Sequence, residues 1–216
     1  MKTINLSEHD SLLNQYLKEI RSSEIQQDRL RFRRNIERIG EVMALEISRK
    51  LHYEEEPVTT PLGVAPVRTI QDRVVLGTIM RAGLPFHQGF LNYFDGAENA
   101  FVSAFRQYGR NGQMEIVSEY LAAPSLEGKT LILVDPMLAT GMSMEVAYQA
   151  LLSHGTPSAV HLACVIGTQQ AVRYLKKEMP AQVTLWCAAI DPVLNEHKYI
   201  VPGLGDAGDL CFGTKL

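Results

Sequence analysis

Short apolar runs recur along the chain with helical spacings between them, and this alternation constrains the fold more than any other feature. Residues 74–80, 100–106, 130–134, 159–166 and 183–190 each read as a strand. Residues 84–94, 145–154 and 169–177 between them carry apolar positions at helical spacing. Pro85 falls in the first turn of its helix, where proline is tolerated, and Gly155 supplies a stop. Continuous apolar strands are buried on both faces, and strands separated by helices join by crossovers. The pattern therefore predicts an α/β chain, a Rossmann-like, mainly parallel sheet with flanking helices.

The remaining segments add to that sheet. Two helices open the chain over residues 1–52. Ser7 is the expected cap of the first, with Leu12, Leu13, Tyr16, Leu17 and Ile20 on one face. Ser22 or Ser23 is the expected cap of the second, whose stripe runs through Ile25, Phe32, Ile36, Ile39, Met43 and Ile47. That stripe can pack on the sheet or on a second subunit. Pro61, Gly63 and Pro66 mark turns around a short β segment at 58–67. Gly109, Asn111 and Gly112 form a turn-prone tip, so about 100–122 reads as a β-hairpin arm. The length, 216 residues, suits one domain.

Composition excludes several classes. At 46% hydrophobic and 21% charged residues the chain can bury enough apolar surface to order itself. Its 21 basic against 24 acidic side chains argue against attachment to nucleic acid by bulk charge, while leaving a local anion site open. Cys164, Cys187 and Cys211 lack metal-ligand spacing and have apolar neighbours, which reads as buried reduced thiols in a cytoplasmic protein. Lys2, Glu8, His9 and Asp10 precede any apolar stretch, unlike a signal peptide, and no apolar run approaches membrane-spanning length.

The stretch Leu131-Ile132-Leu133-Val134-Asp135-Pro136-Met137-Leu138-Ala139-Thr140-Gly141-Met142-Ser143 carries the most chemistry. A buried strand ends at an acid, a small-residue loop follows, and a helix begins. Backbone N–H groups and a helix N-terminus then converge where an anion can sit. Thr140 and Ser143 add hydroxyls, Gly141 permits close approach, and an acid at the strand end suits sugar hydroxyls. The loop is neither a Walker loop nor a G-x-G-x-x-G fingerprint. A plain strand-to-helix turn capped by Thr140 or Ser143 is the competing reading.

Residues 134–141 of that stretch resemble the phosphoribosyl-diphosphate (PRPP) loop of the uracil phosphoribosyltransferases. Leu194-Asn195-Glu196-His197-Lys198-Tyr199-Ile200-Val201-Pro202-Gly203-Leu204-Gly205-Asp206-Ala207-Gly208-Asp209 resembles the uracil-binding segment of the same family, and Phe212-Gly213-Thr214 continues the match. Met80-Arg81-Ala82-Gly83-Leu84 resembles its Arg-Ala-Gly loop, and Arg106 stands where the family has a second PRPP-contacting arginine. The motifs keep the family's order from about residue 80 to the C-terminus.

The resemblance implies the type I phosphoribosyltransferase fold and the reaction of PRPP with uracil, giving UMP and diphosphate. It implies that the loop formed by Pro136, Met137, Leu138, Ala139, Thr140, Gly141, Met142 and Ser143 binds PRPP, with the 5′-phosphate at residues 140–143. Asp135 would hold the ribose hydroxyls, and Arg81 and Arg106 would clamp the diphosphate. Mg2+ would be held by PRPP and water, with no direct protein ligand and Asp206 nearby. Uracil would be read by Ile200, Gly205, Asp206 and Ala207 through main-chain groups. Asp135, Arg81, Arg106 and Asp206 are thus the expected catalytic set. The long amphipathic N-terminal helices and the resemblance together favour a homodimer or higher homo-oligomer, and the resemblance alone offers GTP as an effector, which no residue of the chain decides.

Some positions depart from the family pattern. Met142 replaces a small residue, so its side chain must point away from the phosphate or crowd it. Residues 107–113 lack the usual acidic arm, and Lys198 replaces a common glycine. Two other functions compete. One is a PRPP- or UMP-sensing regulator that binds RNA through Arg29, Arg31, Arg33, Arg34 and Arg38, a run that also reads as a solvated or intersubunit helix face. The other is an enzyme for a different base, although purine and orotate enzymes place two adjacent acids where this chain has Asp135 alone. His197 reads as structural and Trp186 as core.

Overall fold

The computed structural model describes residues 1–103, 105–108, 114–117 and 120–214, the second and third stretches as backbone alone. The chain opens with a strand, Lys2–Asn5 (β1), which no apolar run announces. Helices Leu12–Arg21 (α1) and Arg29–Ser48 (α2) follow. Their caps correct the expected ones. Ser11 Oγ accepts from the Leu13 N–H at 3.2 Å, and Asp28 Oδ1 from the Arg31 N–H at 3.0 Å. Ser7 instead lies inside a 3-10 turn, and Ser22 and Ser23 precede another at Ile25–Gln27. An N-cap needs extended backbone just before the first turn, and Ser11 and Asp28 have it.

A hairpin comes next, Tyr53–Thr60 (β2) with Gly63–Ile70 (β3), paired antiparallel along its whole length. It replaces the single short segment expected at 58–67. Both of its faces are open, and Val58, Leu62, Val64 and Val67 are exposed.

The rest of the chain runs through Val74–Met80 (β4), Gly83–Leu91 (α3), Glu98–Ser103 (β5), Phe105–Tyr108 (β6), Met114–Val117 (β7) and Leu121–Ala122 (β8). Then come Thr130–Val134 (β9), Met137–Leu138 (β10), Met142–Leu151 (α4), Ala159–Thr168 (β11) and Gln169–Glu178 (α5). Thr184–Asp191 (β12), Val193–Leu194 (β13), Ile200–Val201 (β14) and Ala207–Phe212 (α6) complete it. The strand expected over 100–106 divides in two. β5 stays in the main sheet, while β6 leaves it to pair antiparallel with β7 as an arm. The expected tip, Gly109, Asn111 and Gly112, lies outside the described residues, as does the side chain of Arg106.

The eight-stranded sheet has the order β1-β12-β11-β9-β4-β5-β8, with β10 also paired to β11. All pairings in it are parallel except β5 with β8. Side chains alternate between faces along each strand. Leu76, Ile132, Val134, Ala163, Val165 and Trp186 enter the core shared with α1, α2 and α3. Val75, Leu131, Leu133, Leu162, Cys164 and Leu185 enter the core under α4 and α5. Both faces are covered, as the apolar runs require.

On the first face α2 and α3 cross at two glycines. A Cβ on Gly89 would sit 2.0 Å from the Glu37 carbonyl oxygen, and one on Gly40 would sit 2.5 Å from that of Phe86. Among the described residues no helix is long and apolar enough to cross a membrane. All three cysteines are buried and unpaired by disulfide.

Candidate active site

The sheet grows outward from β4 in one direction through β5, and from β9 in the other through β11 and β12. β4 and β9 are therefore the neighbours at which strand order reverses. The crossover after β4 covers one face and those after β9 the other, so a crevice opens beyond the carboxyl ends of these two strands. Arg81 follows β4 and Asp135 follows β9. Both line a cleft of about 550 Å³ at this point.

Asp135 sits half-buried on the cleft floor. Its backbone N–H donates to the Ala163 carbonyl at 3.0 Å, and its Oδ1 accepts from the Met137 N–H at 3.3 Å. Burial outweighs that single hydrogen bond and pushes the carboxyl up to about 7. The chain then rejoins the sheet. Val134 pairs with Ala163 and Met137 with Ile166, the same offset of 29 residues, so β10 continues the line of β9.

The turn into α4 is pinned from below. The Thr168 hydroxyl donates to the Ala139 carbonyl at 2.7 Å and accepts from the Ala171 N–H at 2.9 Å, which joins the loop to the first turn of α5. Gly141 has φ 87°, and a Cβ there would lie 3.0 Å from Tyr174 Cδ1 and 3.1 Å from Leu175 Cγ. The glycine is thus needed for the close packing of α4 on α5, a reason different from the expected approach to a ligand. Met137, Ala139 and Ser143 line the cleft. Pro136 and Leu138 are buried, and Met142 is 38% exposed and is not among the residues that line the cleft. Thr140, which is half-buried, and Gly141, which is buried, are not among the residues that line the cleft either.

The opposite wall comes from the C-terminal segment. β13 and β14 pair antiparallel, and Asn195 Oδ1 closes the turn between them by accepting from the N–H groups of His197 and Tyr199 at 3.0 and 2.9 Å. Lys198 has φ 65°, the left-handed region, which is the physical reason a glycine suits that position. Ile200, Gly205, Asp206 and Ala207 all reach the cleft, as do His197, Lys198 and Tyr199. Asp206 also caps α6, its Oδ1 accepting from the Asp209 N–H at 3.0 Å.

Arg81 bridges the two walls. Its Nη2 donates to Asp209 Oδ1 at 2.9 Å and its Nη1 to the Gly213 carbonyl at 3.3 Å. Its Nε is buried without a partner among the described residues. A Cβ on Gly208 would lie 3.3 Å from Arg81 Nη2, so a side chain there would press on the guanidinium.

Sequence reasoning missed three residues that shape this site. Arg21 and Asp191 form a bidentate pair at 2.8 and 2.9 Å behind the C-terminal segment, and Thr168 holds the loop. Arg21 and Asp191 lie far apart in the chain, and no local pattern joins them. Thr168 carried a local signal, a threonine placed just before the helix at 169–177.

The arginine run is used inside the molecule. Arg31 pairs with Glu19 at 2.8 Å through two hydrogen bonds, and this pairing, with Asn35, holds the Glu19 carboxyl down at about 2. Arg33 donates to the Cys211 carbonyl at 2.7 Å, Arg34 pairs with Glu37 at 2.5 Å, and Arg38 stacks over Tyr16. Four of the five arginines named for an RNA face thus bind α1, α2 or α6 instead.

A switch-point crevice flanked by an Arg-Ala-Gly turn and a strand–acid–loop–helix defines a type I phosphoribosyltransferase. The AQ2163 protein of Aquifex aeolicus has a similar structure, with a TM-score of 0.86, 27% identity and 99% of each chain covered. The uracil phosphoribosyltransferase family model matches residues 7–214, and the chain belongs to that family. It is 59% identical to the uracil phosphoribosyltransferase of Porphyromonas gingivalis over all 216 residues of both chains. It is 38% identical to that of Methanothermobacter thermautotrophicus over 184 residues, 84% of this chain and 83% of the relative.

Proposed function

We propose that the chain transfers the phosphoribosyl group of PRPP to N1 of uracil, giving UMP and diphosphate in pyrimidine salvage. One observation carries this reading: Arg81, together with Asp135 and Ser143 of the 131–143 stretch, faces Ile200, Gly205, Asp206 and Ala207 across one cleft.

Each residue then has a role. The backbone N–H groups that open α4, with Ser143, receive the 5′-phosphate. Asp135 accepts from the ribose hydroxyls and needs its ionised form to do so. The positive charge that develops at the ribose carbon as diphosphate leaves favours that form. Arg81 offers a guanidinium fork to the diphosphate, and Arg106, on the arm, is proposed as its partner. Ile200, Gly205, Asp206 and Ala207 read uracil by main-chain groups. A carbonyl facing the uracil N3–H would oppose the N3 acceptor of cytosine, which leaves a buried group unpaired and rejects that base. The step needs no protein nucleophile, so catalysis rests on positioning and electrostatics.

Mg2+ is the proposed cofactor. Among the described residues no three His, Cys, Asp or Glu side chains converge, while Asp135 and Asp206 both face the cleft. That donor set fits a cation held mainly by PRPP oxygens and water, with Asp206 beside it, which would offset the charge of the leaving diphosphate.

The open β2–β3 hairpin supports a homo-oligomer, because a two-stranded ribbon with exposed apolar residues is marginal alone. Light scattering on the purified protein tests this. The buried cysteines suit a reducing compartment, and we place the protein in the cytoplasm. GTP control rests on family resemblance and is tested by adding GTP to the assay. The deciding experiment incubates the protein with PRPP, Mg2+ and uracil, cytosine or hypoxanthine. UMP from uracil alone is expected, and no UMP across a range of pH and effectors would refute the reading.

A further inference from the structure

Base recognition by main-chain groups needs a backbone held to a fraction of an ångström, and residues 200–207 have little regular structure to hold it. β14 is two residues long and α6 begins only at Ala207. The turn between them is held instead by a residue pair 170 positions apart. Asp191, the last residue of β12, is 5% exposed. Its Oδ2 accepts from the Gly203 N–H at 2.9 Å. Arg21, the last residue of α1, donates from Nη1 to the Gly203 carbonyl at 3.0 Å. The two side chains also bind each other, at 2.8 Å from Nη2 to Oδ1 and 2.9 Å from Nη1 to Oδ2.

Both main-chain groups of Gly203 are therefore gripped at once. Gly203 has φ 57°, and a Cβ there would lie 2.1 Å from the Ile200 carbonyl oxygen, so the turn folds directly back on the cleft-lining strand. A largely buried ion pair adds little net stability compared with apolar packing of similar volume, because two charges must be desolvated. What it supplies is direction: a bidentate fork fixes both partners' orientation.

We propose that Arg21 and Asp191 are positioning residues for the base, holding the uracil-facing backbone at 200–207 in register. This rests on the reading of that segment as the uracil site. Neither side chain lines the cleft, so neither touches substrate. Asp135 and Ser143, which the proposed function assigns to PRPP, lie on the other wall of the cleft, so PRPP binding should depend on the pair far less than uracil binding does.

Steady-state kinetics of Arg21→Ala and Asp191→Asn test the proposal, with the KM for uracil and for PRPP measured separately. For Arg21→Ala the expected result is a rise of about 30-fold in the KM for uracil, the loss of charge-assisted hydrogen bonds, with the KM for PRPP changed by about 2-fold or less. Arg21→Lys, which keeps the charge and one donor, should recover part of the loss. Millimolar guanidinium added to Arg21→Ala should lower the KM for uracil again, which a general loss of stability would not allow. Equal rises in both KM values, or no rise in a folded variant, would overturn the proposal. Should Arg21→Ala not fold, Asp191→Asn and Arg21→Lys decide by the same split. Ala207→Leu separates the two levels of inference. If it leaves the KM for uracil unchanged, the base-site reading is wrong; if it raises that KM while the Arg21 and Asp191 variants do not, only the positioning role is wrong.

Discussion

The two walls of the cleft are built by different means. The PRPP-loop wall is an interrupted sheet strand, held by main-chain bonds such as Asp135 N–H to Ala163 and Ile166 N–H to Pro136, both 3.0 Å. The C-terminal wall is held by side chains: the Arg21–Asp191 pair, the Asn195 turn, the Asp206 cap and Arg81 on Asp209. Backbone pairing survives most substitutions, whereas a side-chain tether can be cut by one. Apart from its side-chain tether, Thr168 on the Ala139 carbonyl, the first wall should therefore be sensitive where a side chain performs chemistry or a glycine is structurally required. The second should respond wherever a tether is removed.

Asp135→Asn presses hardest on this contrast. It should lower kcat/KM by about 10³-fold by removing the charge that faces the developing ribose cation, while leaving the wall intact. Burial pushes the wild-type carboxyl up to about 7 from an ordinary 3.8, so it binds its proton more tightly when folded. Its contribution to stability is complete below pH 3.8 and is lost as pH rises through 7. The asparagine variant should thus be the more stable protein at pH 8, by about 3 kcal/mol in denaturant unfolding. An inactive variant that gains no stability at pH 8 would place Asp135 in a less buried setting.

Arg81→Ala should raise the KM for PRPP by about 100-fold and also loosen α6, since Asp209 and Gly213 lose their donor. Normal PRPP kinetics would remove Arg81 from the site. Gly141→Ala tests the exception on the first wall. With φ 87° and Tyr174 only 3.0 Å from the added carbon, it should cost about 2 kcal/mol in chemical denaturation. Lys198→Gly should have the smallest effect, a stabilisation of about 0.5 kcal/mol, because relief of the left-handed backbone is partly offset by greater freedom in the unfolded chain.

The same contrast explains what the sequence made legible. β4 and β9 were readable to the residue, at Val74–Met80 and Thr130–Val134, because strands covered on both faces must be apolar throughout. Trp186 and the three cysteines were readable as core for the same reason, and Trp186 is 2% exposed. β1 was invisible: Lys2, Thr3, Ile4 and Asn5 form an edge strand, with one neighbour and no need of an apolar run. The β2–β3 hairpin was underread because it buries neither face, so no alternation marks its length. The caps were misplaced because several Ser and Asp residues precede each helix, and the choice among them depends on backbone angles. In the site, the residues that line the cleft stood within recognisable motifs. The residues that hold those motifs in place did not, because Arg21 and Asp191 meet only in the folded chain.

The unbroken offset between β9 and β10 has a consequence for how such a loop can change over time. Asp135 and Pro136 span a gap in a strand whose two halves keep one register on β11, so the number of residues in the gap is fixed by the sheet. Adding one would turn Met137 and Leu138 to opposite faces and take Leu138 out of the core it fills under α4 and α5. Substitutions are far freer, as the exposed Met142 illustrates. The loop can drift in spelling but not in length, and a one-residue insertion after Pro136 should abolish folding where an exchange at Met142 does not.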